Sequence, residues 1–531
     1  MDSMASCPEL PIELLPTVLE HLPKVHYLTR TALVNHTFYQ STIPLLYARA
    51  SIYSWHKDAK LKVVQLFRTL SICPQLARYV RRLEIRDFPR NALSDDVLES
   101  ISQGLRNCTG LHSCTWTRDG SLTSNILLAL SEPSSYTNGT TNDIQSALAT
   151  SVPIHTLRHL EINGHHSNFY NPKILLRFKW LERISIIMPT IEVVQVLEEW
   201  VKLVQESLKS LNIICKMSPV ITDDILIRMA PYLRNLEFFH LTGCPKVTHR
   251  GIREVLLGSK RGIQNMGLES VSPRLDLTQL LPTSVAQPPM LRSIHSLTLS
   301  IPPLHFMPAQ TPASTLSSLI PPVPMTSPAH LSYSSHIPVQ HPTLQAYTST
   351  LLNILTLYLP KLQRFQIYSP HMFFEPCLAT KELFLGLVRT HGEKLKRISV
   401  HRMLIGLDVI RQICMSCPAM EEFFVVVEPG GLDTLADHIH HAKSLKTVHV
   451  NYPLEAQSED GGVPILRLNE ALRFVKRASN PSITQFGCNA LGRLQVNRKI
   501  FIDANGEMES EIYLGPYESP DIPEQFMVVR T

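Results

Sequence analysis

Few residues of this chain stand at spacings that support chemistry. Cys414-x-x-Cys417 is the one tight cysteine pair. A closed zinc site takes four nitrogen or sulfur ligands, so the pair needs two further ligands at comparable spacing, and none is evident. His438, His440 and His441 with Asp433 or Asp437 can be written as a metal cluster, but adjacent histidines on a helix point in different directions. The chain has no Gly-x-Gly-x-x-Gly after a strand, no Gly-x-x-x-x-Gly-Lys-Ser/Thr, no His-Glu-x-x-His and no Gly-x-Ser-x-Gly. Without a phosphate cradle, a paired-histidine metal site or a nucleophile elbow, nucleotide binding and hydrolase chemistry have no support. The sequence therefore predicts no catalytic residue, no metal site and no cofactor, and a protein that is not an enzyme.

Composition narrows what remains. At 531 residues the chain has room for about three domains or one long repeat array. An apolar share of 44% with 18% charged residues suits a continuous core and excludes wholesale disorder. A net charge of +5 marks no polybasic face of the kind that tracks a phosphate backbone, so no nucleic-acid partner is expected. The ten cysteines are scattered and read as reduced thiols, which places the protein in the cytoplasm, the nucleus or both. Met1 to Glu9 carry no Lys or Arg, so no signal peptide is expected, and the most apolar loop, 301–325, is cut by prolines, so neither is a membrane span.

The elements that position everything else are repeats. From about residue 60 a helix-like segment, a short link and a strand written Leu-x-x-Leu-x-Leu keep returning. The clearest copies begin at Leu157, Leu181, Leu208 and Leu233, in steps of 24, 27 and 25 residues, and later ones at Leu395, Met420 and Leu445, in steps of 25. Further copies begin at Ile294 and Leu362, with weaker ones at Val80 and near Leu111. Amphipathic segments such as 192–205 lie between them, so each unit is a strand plus a helix. One such unit cannot bury its own apolar face, and stacking supplies the neighbour. This predicts an α/β fold, a solenoid of horseshoe type with a parallel sheet on its concave side. The residues between the apolar positions then face solvent: His159, Glu161, Arg183, Ser185, Asn212, Glu237, Ser399, Glu422 and His449 are the expected substrate-binding positions.

Two stretches differ in kind. Residues 301–342 hold ten prolines and no Asp, Glu, Lys or Arg, and read as a flexible excursion from the solenoid. The tail from 492 reads as two strands around Asn505-Gly506, a hairpin at the last sheet edge. At the other end, residues 8–50 read as three short helices. Ile12, Leu15, Leu19 and Leu22 recur at helical spacing, with Leu14 and Val18 broadening the stripe, and a second and third helix are predicted over about 26–34 and 36–47, the third kinked or divided by Pro44. Forty residues rarely hold a helical core alone, and this segment has more apolar positions than three short helices hide among themselves. It needs something to cover it, either the rest of the chain or another molecule.

Leu10-Pro11-x-Glu13-Leu14-Leu15, Val18-Leu19-x-x-Leu22-Pro23, Leu28, Leu33-Val34-Asn35, Phe38-Tyr39 and Pro44-Leu45-Leu46-Tyr47 together resemble an F-box. The third helix of such modules usually offers a Trp where this chain has Phe38, and Pro16 sits where many members have a helix former. The body resembles leucine-rich-repeat proteins over most of 75–490. The stretch from Leu236 through Gly243-Cys244 to Gly251-Ile252 is similar to the cysteine-containing repeat of F-box proteins, in which Cys244 would fill the turn after a strand. The whole thus resembles fungal-type F-box proteins with leucine-rich repeats. That resemblance implies an adaptor-binding module over 8–50, a linking helix over 51–74, repeats over 75–300 and 346–490 around a Pro-rich insertion at 301–345, and a C-terminal hairpin or cap over 491–531. It implies a Skp-type adaptor as partner and, through it, cullin and RING subunits, with Leu10, Pro11, Ile12, Leu14, Leu15, Val18, Leu28, Val34 and Phe38 at the adaptor contact. The expected function is substrate receptor of a ubiquitin ligase, presenting an unknown protein substrate. A repeat scaffold whose head is only a cap is the alternative.

Overall fold

The computed structural model describes residues 11–22, 25–89, 94–132, 156–165, 169–281, 290–302, 342–373, 377–453, 464–488, 491–502 and 508–517. The chain divides into two compact units, one of residues 1–267 with 518–531 and one of residues 268–517.

The first unit opens with a 3-10 turn at Ile12–Leu14 and helices α1 (Leu15–Glu20), α2 (Val25–Thr31) and α3 (His36–Ala48). Pro16 stands in the first turn of α1, where its missing N–H would have had no intrahelical partner. The Asn35 side chain caps α3 by accepting the Phe38 N–H at 2.9 Å. Pro44 does not divide α3, which runs through it to Ala48. Both α1 and α2 pack on α3. The first strand, β1 (Arg49–Ile52), follows at once, so the sheet begins where the sequence placed the end of the head and the linking helix.

Thereafter come α4 (Ala59–Ile72), α5 (Pro74–Ala77), β2 (Arg82–Ile85), α6 (Asp95–Asn107), β3 (Ser113–Trp116), α7 (Ser124–Ser131), β4 (His159–Asn163), β5 (Arg183–Ile187), α8 (Ile191–Leu203), β6 (Ser210–Ile214), α9 (Asp223–Met229), β7 (Phe238–Thr242) and α10 (His249–Gly258), and β8 (Asn265–Glu269) crosses the division. Strands β1 to β7 pair in sequence order, all parallel. The register stacks Leu160, Ile184, Leu211 and Phe239 in one column, and all four are buried. Ile162, Ile186, Ile213 and Leu241 form the next column, two residues along, as the alternation of a strand requires.

That register corrects one repeat. Leu233-x-x-Leu236-x-Phe238 fits the apolar pattern, but Leu236-x-x-Phe239-x-Leu241 is the copy that aligns with Leu208-x-x-Leu211-x-Ile213. Leu233 instead follows a 3-10 turn, Ala230–Tyr232. Apolar residues at 233, 236, 238, 239 and 241 satisfy the spacing in two frames, and only pairing with β6 selects one. Glu237 therefore precedes the strand, and Phe238 and His240 hold the outward positions.

The second unit comprises β9 (Ser296–Ser300), α11 (Pro342–Tyr358), β10 (Arg364–Phe373), α12 (Leu378–His391), β11 (Arg397–Leu404), α13 (Leu407–Ser416), β12 (Glu422–Val426), α14 (Leu432–Ile439), β13 (Thr447–Asn451), α15 (Leu468–Ala478), β14 (Gln485–Cys488), β15 (Gly492–Ile502) and β16 (Met508–Pro516). Strands β9 to β14 are parallel neighbours, and β14–β15 and β15–β16 are antiparallel. The tail is thus a hairpin paired to the last parallel strand; its Asn505-Gly506 turn, like 303–341 of the Pro-rich segment, lies outside the described residues.

Each unit repeats one polar device. An Asn side chain reaches back to carbonyls near the end of the preceding helix: Asn107 Nδ2 donates to Leu70 O at 2.9 Å and Ser71 O at 3.1 Å, and Asn480 Nδ2 donates to Ala442 O at 2.8 Å and Ile439 O at 3.2 Å. Carbonyls that the helix end leaves unpaired are satisfied by the next repeat. Glycine is required at Gly243, whose φ is +67°, because a Cβ there would strike the Cys215 carbonyl on the neighbouring strand end. Gly251 leaves room for Asp223, which accepts the Thr248 N–H at 2.8 Å and the Gly251 N–H at 3.0 Å, tying α9 to the start of α10. Both units are thus arrays of strand–turn–helix repeats whose strands follow the Leu-x-x-Leu-x-Leu pattern.

Candidate functional site

Two surfaces hold the expected site residues. The first is the N-terminal helices. Ile12 is 66% exposed, Leu14 and Val18 48% each, Leu33 82% and Val34 63%, with Pro11, Val25 and Tyr39 also exposed. Leu28 and Phe38 are half-buried, and Leu10 lies outside the described residues. Leu15 departs from the expectation: it is buried with Leu19 on the inner face of α1 and is a core residue of the three-helix packing. An i, i+4 pair, Leu15 and Leu19, faces inward, whereas Leu14 and Val18, one residue earlier in each turn, face out. Covering a side chain of this size is worth about 1.5–3 kcal/mol, so the outward set is a large unclaimed reserve of contact energy.

The second surface is the face of each sheet opposite the helices. In the first unit it is a lattice of charges. Glu84 accepts the Tyr53 hydroxyl at 2.8 Å and pairs with Arg49 at 2.7 Å and Arg82 at 3.5 Å. Glu161 pairs with Arg86 at 3.0 Å, and burial holds its carboxyl above the usual range against the pull of that guanidinium. Asn212 donates to Ser185 Oγ at 3.1 Å, and the Arg183 guanidinium lies over the Phe238 ring at 5.5 Å. His159 is pushed below the ordinary imidazole range, first by burial and then by Arg183, Arg82 and His112, with Glu182 opposing. Glu237 is half-buried before β7 and pairs with Arg261 at 3.2 Å.

In the second unit the corresponding face is closed. Ser399, Phe424 and His449 share one register row, and all three are buried, at 0%, 1% and 3% exposure. The expectation that Ser399 and His449 face solvent is therefore corrected. The rings of Phe424 and His449 stack at 5.2 Å, His401 lies 6.0 Å from Phe424, and the Arg397 guanidinium roofs Phe424 at 5.4 Å. Gly487, next in the row, leaves the space that His449 fills. A large ring at an outward position converts a polar row into a packed one, and an Leu-x-x-Leu-x-Leu template does not read the residue types between its apolar positions. Glu422 remains half-buried, 3.6 Å from Arg397. Burial pushes His401 down to about 4.

The cysteines and histidines that stood at suggestive spacings are otherwise occupied. Cys414 and Cys417 are buried at the end of α13, where desolvation pushes each thiol up to about 12, away from the thiolate that metal or nucleophile chemistry needs. Asp437 binds Arg477 at 2.8 Å, Asp433 lies 3.4 Å from Arg473, and the His440 ring contacts the Ala478 carbonyl at 3.3 Å. Cys244 is buried after β7, its thiol donates to the Thr242 carbonyl at 3.5 Å, and the neighbouring Cys215 together with burial holds it well above the ordinary range. Among the described residues no three metal-ligating side chains converge, and no helix is long and apolar enough to cross a membrane.

No family model matches the chain, and no curated protein matches it. Among solved structures, an internalin (inlF) from Listeria monocytogenes is similar to it at 11% identity, covering 73% of this chain and 90% of that one with a TM-score of 0.29. A superposition of that quality leaves the assignment of the repeats to their own register and period.

Proposed function

We propose that the protein is the substrate receptor of a Skp-cullin-F-box ubiquitin ligase, binding the adaptor through its N-terminal helices and a protein substrate through its repeats. The observation that carries this reading is the outward apolar set Ile12 and Leu14 in the 3-10 turn, Val18 on α1, and Leu33 and Val34 in the turn between α2 and α3, beside an α1 whose inner face, Leu15 and Leu19, is already packed. A cap would turn such residues onto the first repeat; here they stay exposed while Leu15 and Leu19 supply the internal packing. Helical interfaces draw their energy from a few such anchors. Catalysis in this role is proximity: a rigid connection between adaptor and substrate raises the effective concentration of the acceptor lysine, and no side-chain chemistry of this chain is needed.

The test is co-purification of the full chain with a Skp-type adaptor and cullin, compared with a variant carrying Ile12→Ser, Leu14→Ser and Val34→Ser. Recovery of the adaptor with the parent and its loss from the variant, at unchanged thermal stability, is the expected result. Equal recovery, or none with either protein, leaves the second reading, a repeat scaffold that binds proteins without a ligase, as the function.

A further inference from the structure

The start of the sheet in the first unit gathers cations that lie far apart in sequence. Register places Arg82, Ser113, His159 and Arg183 side by side on β2, β3, β4 and β5. The residue before each strand forms a second row, because successive backbone bonds link Arg81 to His112, His112 to Arg158 and Arg158 to Glu182. Glu182 is held by Lys209 at 2.8 Å, and Glu84 is shared between Arg49 and Arg82. Arg158 spends one N–H on the Trp180 carbonyl at 3.1 Å, Arg81 one on the Gly110 carbonyl at 3.1 Å, and Arg183 lies on the Phe238 ring. Arg81, Arg82, Arg158 and Arg183 thus stand with His112 and His159 at this end of the sheet, where Glu84 is taken by Arg49 and Arg82, Glu161 by Arg86 and Glu182 by Lys209. Arg82, His112 and Arg183 are exposed, and Arg158 and His159 are half-buried.

Neighbouring strands lie about 4.8 Å apart, so the distance from β2 to β5 is about 14 Å. An extended peptide covers that length in about four to five residues, with alternate side chains on one side. We propose that this patch is the docking surface for an extended acidic segment, rich in Asp and Glu, of the protein substrate, laid across β2 to β5. Guanidinium groups on neighbouring strands offer planar, charge-assisted hydrogen bonds to successive carboxylates, and they are already desolvated in part. The proposal deepens the receptor reading by naming its substrate chemistry, and it is tested on this chain without adaptor or cullin, so that either can fail alone.

The experiment is fluorescence anisotropy of a labelled ten-residue Glu/Asp peptide titrated with the full chain. Controls are the same peptide with Gln and Asn in place of its acids, a phosphoserine peptide of equal charge, and a single-stranded oligonucleotide. The acidic peptide is expected to bind at least about tenfold more tightly than the neutral one, and the affinity to fall several-fold with rising salt. The double variant Arg158→Glu, Arg183→Glu is expected to weaken it at least about tenfold, and the single variant Arg183→Gln, at an exposed position, to weaken it measurably while the fold and thermal midpoint hold. Equal binding of acidic and neutral peptides, or full binding by the folded Arg183→Gln chain, overturns the proposal. Tenfold preference for the phosphoserine peptide or the oligonucleotide over the acidic one also overturns it, since the occupant would then be of another class.

Discussion

The N-terminal helices and the repeats use the same residue types to opposite ends. In the repeats Val63, Phe67 and Leu70 of α4 are fully buried, as are Leu211 and Leu241 in the strands, so the inward apolar side chains go to internal packing, while single residues such as Leu61, Ile72 and Leu357 stay exposed. In the head one apolar stripe is spent and a second is not, because three short helices have too little volume to enclose both. Burial inside the chain buys fold, whereas the same surface left outside is available for association. The stability of the protein therefore rests on the repeats, and the head should tolerate changes that the repeats do not.

That contrast is sharpest at a single core side chain. Phe239→Ala removes a fully enclosed ring between β6 and its own helix layer, and a loss of about 3–5 kcal/mol in chemical denaturation is expected. A loss under about 1 kcal/mol would mean that the strand frame fixed by pairing with β6 is wrong. Next comes acidity in the second unit. His401 titrates near 4 in the folded chain against about 6.5 when unfolded, so the unfolded chain binds the extra proton between those values. Stability present above about pH 6.5 should fall as pH drops toward 4, by on the order of 1–3 kcal/mol. Glu269 and Arg397 face this imidazole with opposite effect, and burial outweighs both. His401→Gln should flatten that part of the curve; an unchanged slope would place the proton elsewhere.

A smaller effect is expected at the helix-end device. Asn480→Ala strands the Ala442 and Ile439 carbonyls and should cost about 1–3 kcal/mol, read as a lowered thermal midpoint, with Asn107→Ala behaving alike in the first unit. The smallest is in the head. Leu14→Ser, at a half-exposed position, should change stability by less than about 0.5 kcal/mol, whereas Leu15→Ser one residue on should cost several times more. Equal costs at the two positions would erase the distinction between spent and unspent faces.

The period of about 25 residues and the inward columns were legible because strand alternation and stacking leave few places for Leu, Ile and Phe to go. Weak copies escaped where small or sulfur-bearing residues stand in: β8 writes Ile263-x-x-Met266-x-Leu268 with Gly267 between, and β14 writes Ile483-x-x-Phe486-x-Cys488. The head's three helices were legible from their spacing, although Pro44 proved compatible with a continuous helix and the Asn35 cap was found only in the structure.

The linear order of residues settled most of the inward apolar columns and that the chain must stack repeats, since the hydrophobic effect follows composition and period. Which frame β7 adopts, that Phe424 seals the outward row of the second unit, and that Arg82, Arg158 and Arg183 gather within the four strands β2 to β5 were decided only by lateral pairing. Residues 24 to 46 positions apart become neighbours on adjacent strands, and one-dimensional charge counts, which come to only +5 here, average such a patch away.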